Sequence, residues 1–508
     1  MTERVTARTF GLLLLCLATA VPYGLLVRLL STETVFAIAL YVAVFAAYLA
    51  WSWYVVERRP AYRHRFSPTA LGLALGCCTV AVVLLGWVAP TAVALVHLGA
   101  LVVVFGCWAI PFAALAHALT GSEYDDVAEF PSITILVPAY NEEGYVGRTV
   151  ASLLEANYPA EKEIIVVDDG STDGTHEEAG RYGAENVTVV SKDNGGKYSA
   201  LNYGLLFAEG EVVVTVDADS IVETNALREI VAPLAADPAV GAVAGNVRAF
   251  NRDSFVTRCQ AIEYVLSINL FRRVYDQFGA VPIVPGCLGA YRRAALEEVE
   301  AYDPHTLTED FDTTMKVLAR GYEVRFSEAV VYTEAPDTWR DLYRQRLRWY
   351  RGNVMTLRKH LFGSTPPGNR YVDRIHVPLA VITMLFTPVA SWLVLGVIAY
   401  IVVTGGHTAI LPILVTYTVL VVLLTALALG IEGESYWYLG YAPLFVLGYK
   451  HVNDLVMVKS IVDVVGGTDL DWTNVSRIDQ RESTSTELPS EPASADLSSE
   501  PSSNRQGD

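Results

Sequence analysis

The chain has 508 residues, 52% of them hydrophobic, and carries 37 lysines and arginines against 55 aspartates and glutamates, a formal charge of −18. The apolar share points to a membrane protein, and the acidic balance excludes a nucleic-acid partner, which would need a broad basic face. Six cysteines without a C-x-x-C pair exclude a disulfide framework or a cysteine zinc site, so Cys16, Cys77, Cys78, Cys107, Cys259 and Cys287 read as small buried apolar residues.

Taken in chain order, apolar stretches long enough to cross a bilayer fall near 10–30, 34–56, 69–89 and 91–118. The first also has signal-peptide features, with Arg4 and Arg8 ahead of it and Ala18, Thr19 and Ala20 at its end, but further spans follow at once. Arg58, Arg59, Arg63 and Arg65 sit between the second and third stretches, while the neighbouring linkers are nearly uncharged. The positive-inside rule places that linker in the cytoplasm, and four crossings return the chain there. Residues 1–121 are therefore expected to be a membrane region of about four helices, and 122–338 a cytoplasmic domain.

Within that block four short β-branched runs, near 132–137, 163–167, 186–190 and 211–216, alternate with amphipathic stretches such as 145–156 and 197–208. Continuous apolar strands between helices imply a parallel sheet covered on both faces. Such sheets bind ligands beyond the carboxyl ends of their strands, so the residues after each strand carry the information. Those tips read PAYNEE (138–143), DDGSTDG (168–174), DNGGK (193–197) and DADS (217–220). One such tip is explained by helix capping; four on one sheet edge make a cleft of carboxylates, flexible backbone and a lysine. This chemistry suits a nucleotide diphosphate bound with a divalent metal. Asp217 and Asp219 offer hard oxygens to Mg²⁺ or Mn²⁺, Lys197 adds a point charge, and Asp168 or Asp169 can accept hydrogen bonds from a base or ribose.

Further on, Gly286, Cys287, Tyr291, Arg292 and Arg293 fall in VPGCLGAYRR (284–293), where Arg292 and Arg293 can also be read as surface-helix arginines. Asp310 in Thr308-Glu309-Asp310 is placed either to accept a proton or to cap a helix. Gln345, Arg348 and Trp349 are spaced i, i+3 and i+4 and share one helix face. Trp339, Leu342, Tyr343, Leu347, Tyr350, Val354 and Leu357 form a neighbouring apolar stripe. The expectation for 339–376 is amphipathic helices lying on the membrane, with Arg340, Arg344, Arg346, Arg351 and Arg358 as interfacial arginines and Arg348 reserved for a phosphate. Residues 377–466 hold two to three further spans, near 377–403, 409–430 and a stretch at 437–464 interrupted by Lys450, His451, Asn453 and Asp454. The acidic tail 467–508 has little to bury and is expected to be largely disordered.

PAYNEE, VVDDGSTDGT, NGGKYSALNYG, VDADS, VPGCLGAYRR, TEDFD and QRLRW, in this order between membrane spans, resemble the processive family-2 glycosyltransferases of the cellulose, chitin and hyaluronan synthase group. Within it the sequence is nearest the poly-N-acetylglucosamine synthases. The resemblance covers roughly 130–480. It implies an α/β GT-A (Rossmann-like) domain inserted in an α-helical polytopic bundle, a multi-pass cell-membrane location with the catalytic domain cytoplasmic, a nucleotide-sugar donor, a growing glycan acceptor, Mg²⁺ or Mn²⁺, and export of the product across the bilayer. It assigns Asp168 and Asp169 to the uridine pocket, Lys197 to the diphosphate, and Asp217 and Asp219 to the metal. Asp310 becomes the general base, Gln345, Arg348 and Trp349 the acceptor and phosphate motif, and Gly286, Cys287, Tyr291, Arg292 and Arg293 the expected lining of the acceptor site. UDP-N-acetylglucosamine or UDP-glucose is the expected donor. Two other functions stay open: transfer of one sugar to a polyprenyl or dolichyl phosphate carrier, and a non-catalytic sensor of nucleotide sugars. An accessory subunit is neither required nor excluded.

Overall fold

A computed structural model describes residues 127–183, 186–362, 387–404 and 407–467, with isolated positions before residue 127. The N-terminal spans, the interfacial segment beyond residue 362, residues 377–386 of the fifth span and the acidic tail fall outside the described residues.

The sequence order is β1 (Ile133–Ala139), α1 (Val146–Glu155), β2 (Lys162–Asp168), α2 (Thr175–Gly180), β3 (Val187–Ser191), α3 (Lys197–Leu205) and β4 (Val212–Thr215). The four strands coincide with the four β-branched runs. They are mutually parallel in the order β3-β2-β1-β4, so their carboxyl ends share one edge. The sheet continues through β5 (Ser220–Val222), α4 (Ala226–Ala236), β6 (Val240–Ala249), α5 (Phe255–Glu263), a π-helical turn at Tyr264–Asn269, α6 (Leu270–Asp276), β7 (Gly289–Arg292) and α7 (Arg293–Glu298). It is completed by α8 (Glu309–Ala319) and β8 (Glu323–Thr333), giving eight strands in the order β3-β2-β1-β4-β7-β6-β8-β5, with β7 antiparallel to β4 and β6.

Both faces of the sheet are buried, as the unbroken apolar runs require. Ile133, Ile135 and Val137 of β1 pack with Val146, Val150, Leu227 and Ile230 on the α1–α4 side. Leu136 of β1 and Ile165 and Val167 of β2 pack with Ala200, Leu201, Phe311 and Met315 on the α3–α8 side. Alternate residues of one strand thus feed two cores, and the strand tips are the only part of β1–β4 left to face a ligand.

After β8 comes α9 (Trp339–Phe362), 24 residues and about 36 Å long, then α10 (Thr387–Val403), α11 (His407–Glu432), a 3₁₀ segment (Tyr436–Phe445) and α12 (Tyr449–Val465). Within α11, Leu414–Glu432 is, among the described residues, the one helical stretch long and apolar enough to cross a membrane. The stretch expected as a seventh span is two elements instead: the chain turns between Phe445 and Tyr449, with Gly448 at φ 128°, a conformation glycine adopts without strain.

The interfacial reading of α9 needs correction at several positions. Leu342, Leu347 and Leu357 are buried in protein, Leu342 beside Val256, Cys259 and Tyr449, and Leu357 beside Phe311. Arg346 is fully buried and Arg351 is bound to Asp463 of α12 at 2.5 Å. Arg344 pairs with Asp341 at 3.5 Å. Trp339, Tyr343, Arg340 and Arg358 remain exposed. Helical periodicity identifies an apolar stripe but not what covers it; here α5, α8 and α12 cover much of it.

Candidate active site

The four tips are stitched to one another by their own polar residues. Asn141, at φ 55°, accepts from Thr172 N at 2.9 Å, while its own N–H donates to Ser171 Oγ at 3.0 Å. Glu142 N donates to Thr175 Oγ1 at 2.7 Å. Thr149 Oγ1 of α1 donates to Ala218 O at 2.7 Å and pins the Asp217–Asp219 turn after β4. The edge is a rigid platform, which a binding site needs if its donors are to hold their geometry.

Asp168 and Asp169 are both buried, and both are taken up by protein donors. Asp168 accepts from Ser171 N at 2.9 Å and Ser191 Oγ at 3.3 Å, with His176 Nδ1 3.6 Å away. Asp169 accepts from Gly196 N at 2.7 Å, Gly195 N at 3.1 Å and Lys192 Nζ at 2.6 Å. Asp169 therefore shapes the Gly195-Gly196 turn that delivers Lys197 as the first residue of α3. Gly196 sits at φ 87°, where a side chain would strain the backbone. Replacing Asp169 by Ala removes a charge-assisted acceptor from two backbone N–H groups, each worth about 1.5–3 kcal/mol. A lowered thermal midpoint and nucleotide affinity reduced by at least about tenfold are expected. Calorimetry and nucleotide titration measure the two; unchanged affinity would separate the loop from the site.

Lys197 is the junction. Its Nζ lies 2.5 Å from Asp217 Oδ1 and 3.3 Å from Glu309 Oε1, joining the tip of β4 to the start of α8 across 112 residues of sequence separation between lysine and glutamate. Burial works against its charge, but Asp217, Glu309 and Asp310 together hold its pKa well above the ordinary lysine value. Asp217 is shifted upward, chiefly by burial, with Asp219 adding to the shift and Lys197 opposing it. A Cβ at Gly286 would collide with Lys197 Nζ and lie 3.4 Å from Asp217 Oδ1, so the absence of a side chain there makes room for the lysine. Cys287 beside it is buried; burial first and Asp217 second push its thiol up to about 12, so it is a neutral wall and not a nucleophile.

Asp310 is the second residue of α8. Its Oδ1 accepts from Phe311 N at 2.8 Å, and its pKa is raised to about 6 by burial and by neighbouring Glu309. Capping and base chemistry are compatible here: Thr308 precedes the helix while the carboxyl of Asp310 stays near Lys197. At Gly352 of α9 a Cβ would lie 2.6 Å from Thr308 Cγ2, so this glycine lets α9 close onto the start of α8, and Thr356 Oγ1 lies 3.5 Å from Thr308 Oγ1. Trp349, three residues before Gly352, packs against the core cluster containing Cys287 and Val216. Gln345 Oε1 accepts from Arg346 Nη1 at 2.5 Å.

Arg292 and Arg293 lie elsewhere. Arg292 donates to the carbonyls of Leu234 (2.7 Å), Asp237 and Val240 and closes the end of α4, and Arg293 pairs with Glu297 at 2.8 Å. Tyr291 is buried in β7. Sequence reading passed over Glu309, the second anchor of Lys197, although it adjoins Asp310. It also passed over Arg272, buried and donating to Gly245 O at 3.0 Å, whose pKa burial lowers to about 10.

Among the described residues no three His, Cys, Asp or Glu side chains are grouped to hold a metal ion. Asp217 and Asp219 supply two hard oxygen sites, so a divalent ion here would need diphosphate oxygens and water to complete its shell. The donor set fits Mg²⁺ or Mn²⁺, which prefer oxygen and keep water ligands when bound with phosphates.

Residues 134–300 match the glycosyl transferase family 2 domain. The poly-beta-1,6-N-acetyl-D-glucosamine synthase of Staphylococcus aureus (strain MSSA476) is 33% identical over 242 residues, 47% of this chain and 58% of the relative. A probable glycosyltransferase of Bacillus subtilis (strain 168), YdaM, is 32% identical over 246 residues, 47% of this chain and 59% of its own. The chain thus spans a little under three-fifths of the curated relatives it matches. Among solved structures, the mannosyltransferase PcManGT from Pyrobaculum calidifontis, in complex with GDP-Man and Mn²⁺, aligns over 72% of this chain and 99% of its own at 22% identity, with a TM-score of 0.49.

Proposed function

We propose, for a chain that is a family-2 glycosyltransferase of GT-A fold near the poly-N-acetylglucosamine synthases, that it elongates a β-linked polysaccharide from a nucleotide-sugar donor at the cytoplasmic face of the cell membrane and passes the product outward through a multi-pass bundle. UDP-N-acetylglucosamine is the first-choice donor, by the relative's name, and UDP-glucose the second. The observation that carries the reading is Lys197 held between Asp217 and Glu309, which brings the diphosphate-type tip and the Asp310 helix to one point.

In this mechanism the loop shaped by Asp169 presents Lys197 to the donor diphosphate, with Asp168 facing the nucleoside. A divalent ion held by Asp219 and Asp217 would neutralise charge on the leaving diphosphate. Asp310 takes the proton from the acceptor hydroxyl as that oxygen attacks the anomeric carbon from the face opposite the leaving group. The bond to diphosphate breaks as the new glycosidic bond forms, so an α-linked donor gives a β-linked product. Gln345 and Trp349 hold the acceptor sugar, and Arg348 pairs with the diphosphate.

The Q-x-x-R-W motif on α9, a helix that closes onto the start of α8 where Gly352 meets Thr308, supports polymer extension over a lone transfer to a lipid phosphate. Purified full-length protein in nanodiscs, incubated with single nucleotide sugars, tests this. Nucleotide release with one donor and a product that grows with time are expected. A product that stops at one lipid-linked sugar would overturn the polymer reading, and no turnover with any donor would overturn transfer itself.

A further inference from the structure

The most buried arginine of the α9 segment is one to which the mechanism gives no task. Arg346 is 0% exposed, in a helix whose other arginines are half-buried or exposed. Its counter-ion is Glu263, the last residue of α5: Nη2 donates to Oε2 at 2.7 Å and Nε to Oε1 at 3.3 Å. Glu263 also accepts from Tyr449 Oη at 2.5 Å and Asn453 Nδ2 at 3.1 Å, both on α12. Four donors from two helices thus converge on one carboxylate. A buried ion pair is tolerable only when its remaining polar sites are satisfied in this way, and breaking one partner leaves an uncompensated charge.

What Arg346 does with its other surfaces gives the pair its meaning. Its Nη1 donates to Gln345 Oε1 at 2.5 Å, and its guanidinium carbon lies 4.2 Å from the ring centroid of Trp349, a cation–π stack. One guanidinium therefore touches both Gln345 and Trp349. Directly after Glu263 the helix widens into the π-helical turn Tyr264–Asn269, a local departure common where a helix is shaped for function.

We propose that Glu263 is a positioning residue: through Arg346 it sets the amide of Gln345 and the indole of Trp349, and through Tyr449 and Asn453 it locks that setting to α12. The inference rests on the reading of Gln345 and Trp349 as the acceptor platform, and it makes α12 a working part of the acceptor site. Asn453 then belongs to this lock, whereas Asp454 is held by Lys450 at 2.7 Å.

The test is Glu263→Gln in the full chain in nanodiscs, with donor binding, turnover and tryptophan emission measured together. Turnover should fall about ten- to a hundredfold while nucleotide affinity stays within about threefold. The emission difference against Trp349→Phe should shift, because the stacked cation loses its anchor. Wild-type turnover with unchanged emission would overturn the proposal, and so would an equal loss of nucleotide affinity, the mark of a merely structural pair. Should Glu263→Gln fail to fold, Tyr449→Phe, which removes one donor and keeps the ion pair, should give a smaller loss of turnover in the same direction with the same emission shift; no change in either overturns it. Because nucleotide affinity and emission are read without transfer, failure of the proposed reaction would show as an inactive wild type with a normal emission response, and is distinguishable.

Discussion

Asp310→Asn should abolish sugar transfer while leaving nucleotide binding nearly intact. The substitution preserves shape and keeps an oxygen to accept from Phe311 N, now at 2.8 Å, but replaces the carboxylate by a neutral amide that takes up no proton near neutral pH. General-base catalysis contributes roughly 10²–10⁴ in rate, and that is the expected loss in kcat. Lys197 still has Asp217 and Glu309, so its presentation to a diphosphate survives. UDP titration should therefore give an affinity within about threefold of wild type; retained turnover would refute the role. Burial and Glu309 raise the Asp310 pKa to about 6, so kcat/KM should rise as pH increases through about 6. Stability runs the other way. The folded state binds this proton more tightly than the unfolded chain, so the Asp310 contribution to stability is full below the ordinary carboxyl pKa of 3.8 and is lost as pH rises through about 6. At neutral pH the asparagine variant should melt no lower than wild type, and inactivity at equal or higher thermal midpoint identifies a lost base and not a lost fold.

The two halves of the site were unequally visible in the amino-acid sequence. The tips after β1 to β4 could be read because a two-sided parallel strand leaves an unbroken β-branched run such as Glu211–Val216, and whatever follows it must lie on the ligand edge. Residue roles within the tips were less legible. Asp168 and Asp169 look alike in sequence, yet Asp169 spends its oxygens on Gly195, Gly196 and Lys192 while Asp168 spends its own on Ser171 and Ser191. Arg346 shows the limit most plainly: helical spacing groups it with the surface arginines of α9, and its partner Glu263 lies 83 positions earlier on another helix. A periodicity argument describes one element against an unspecified environment, and only tertiary packing decides whether an arginine meets lipid, water or a buried carboxylate. Likewise Arg292 sits in a motif of promising composition but closes the end of α4 with three carbonyl contacts.

Asp219→Ala should remove the metal-dependent part of donor binding, an effect of at least about tenfold in UDP affinity with Mn²⁺ present and none without it. Asp217 and Asp219 stand on the same turn but serve different partners. Asp217 is committed at 2.5 Å to Lys197, so its negative charge already serves a fixed cation. Ala218 between them is buried and its carbonyl is pinned by Thr149. The turn thus holds Asp219 on a rigid backbone, the condition for a monodentate ligand to a cation that also takes diphosphate oxygens. Asp217→Ala should behave differently, weakening nucleotide binding with and without metal because Lys197 then loses the carboxylate 2.5 Å from its Nζ. Titrating UDP into each variant at several Mn²⁺ and Mg²⁺ concentrations separates the two; an Asp219→Ala protein with wild-type metal dependence would exclude that carboxylate as a ligand and move the cation to another donor.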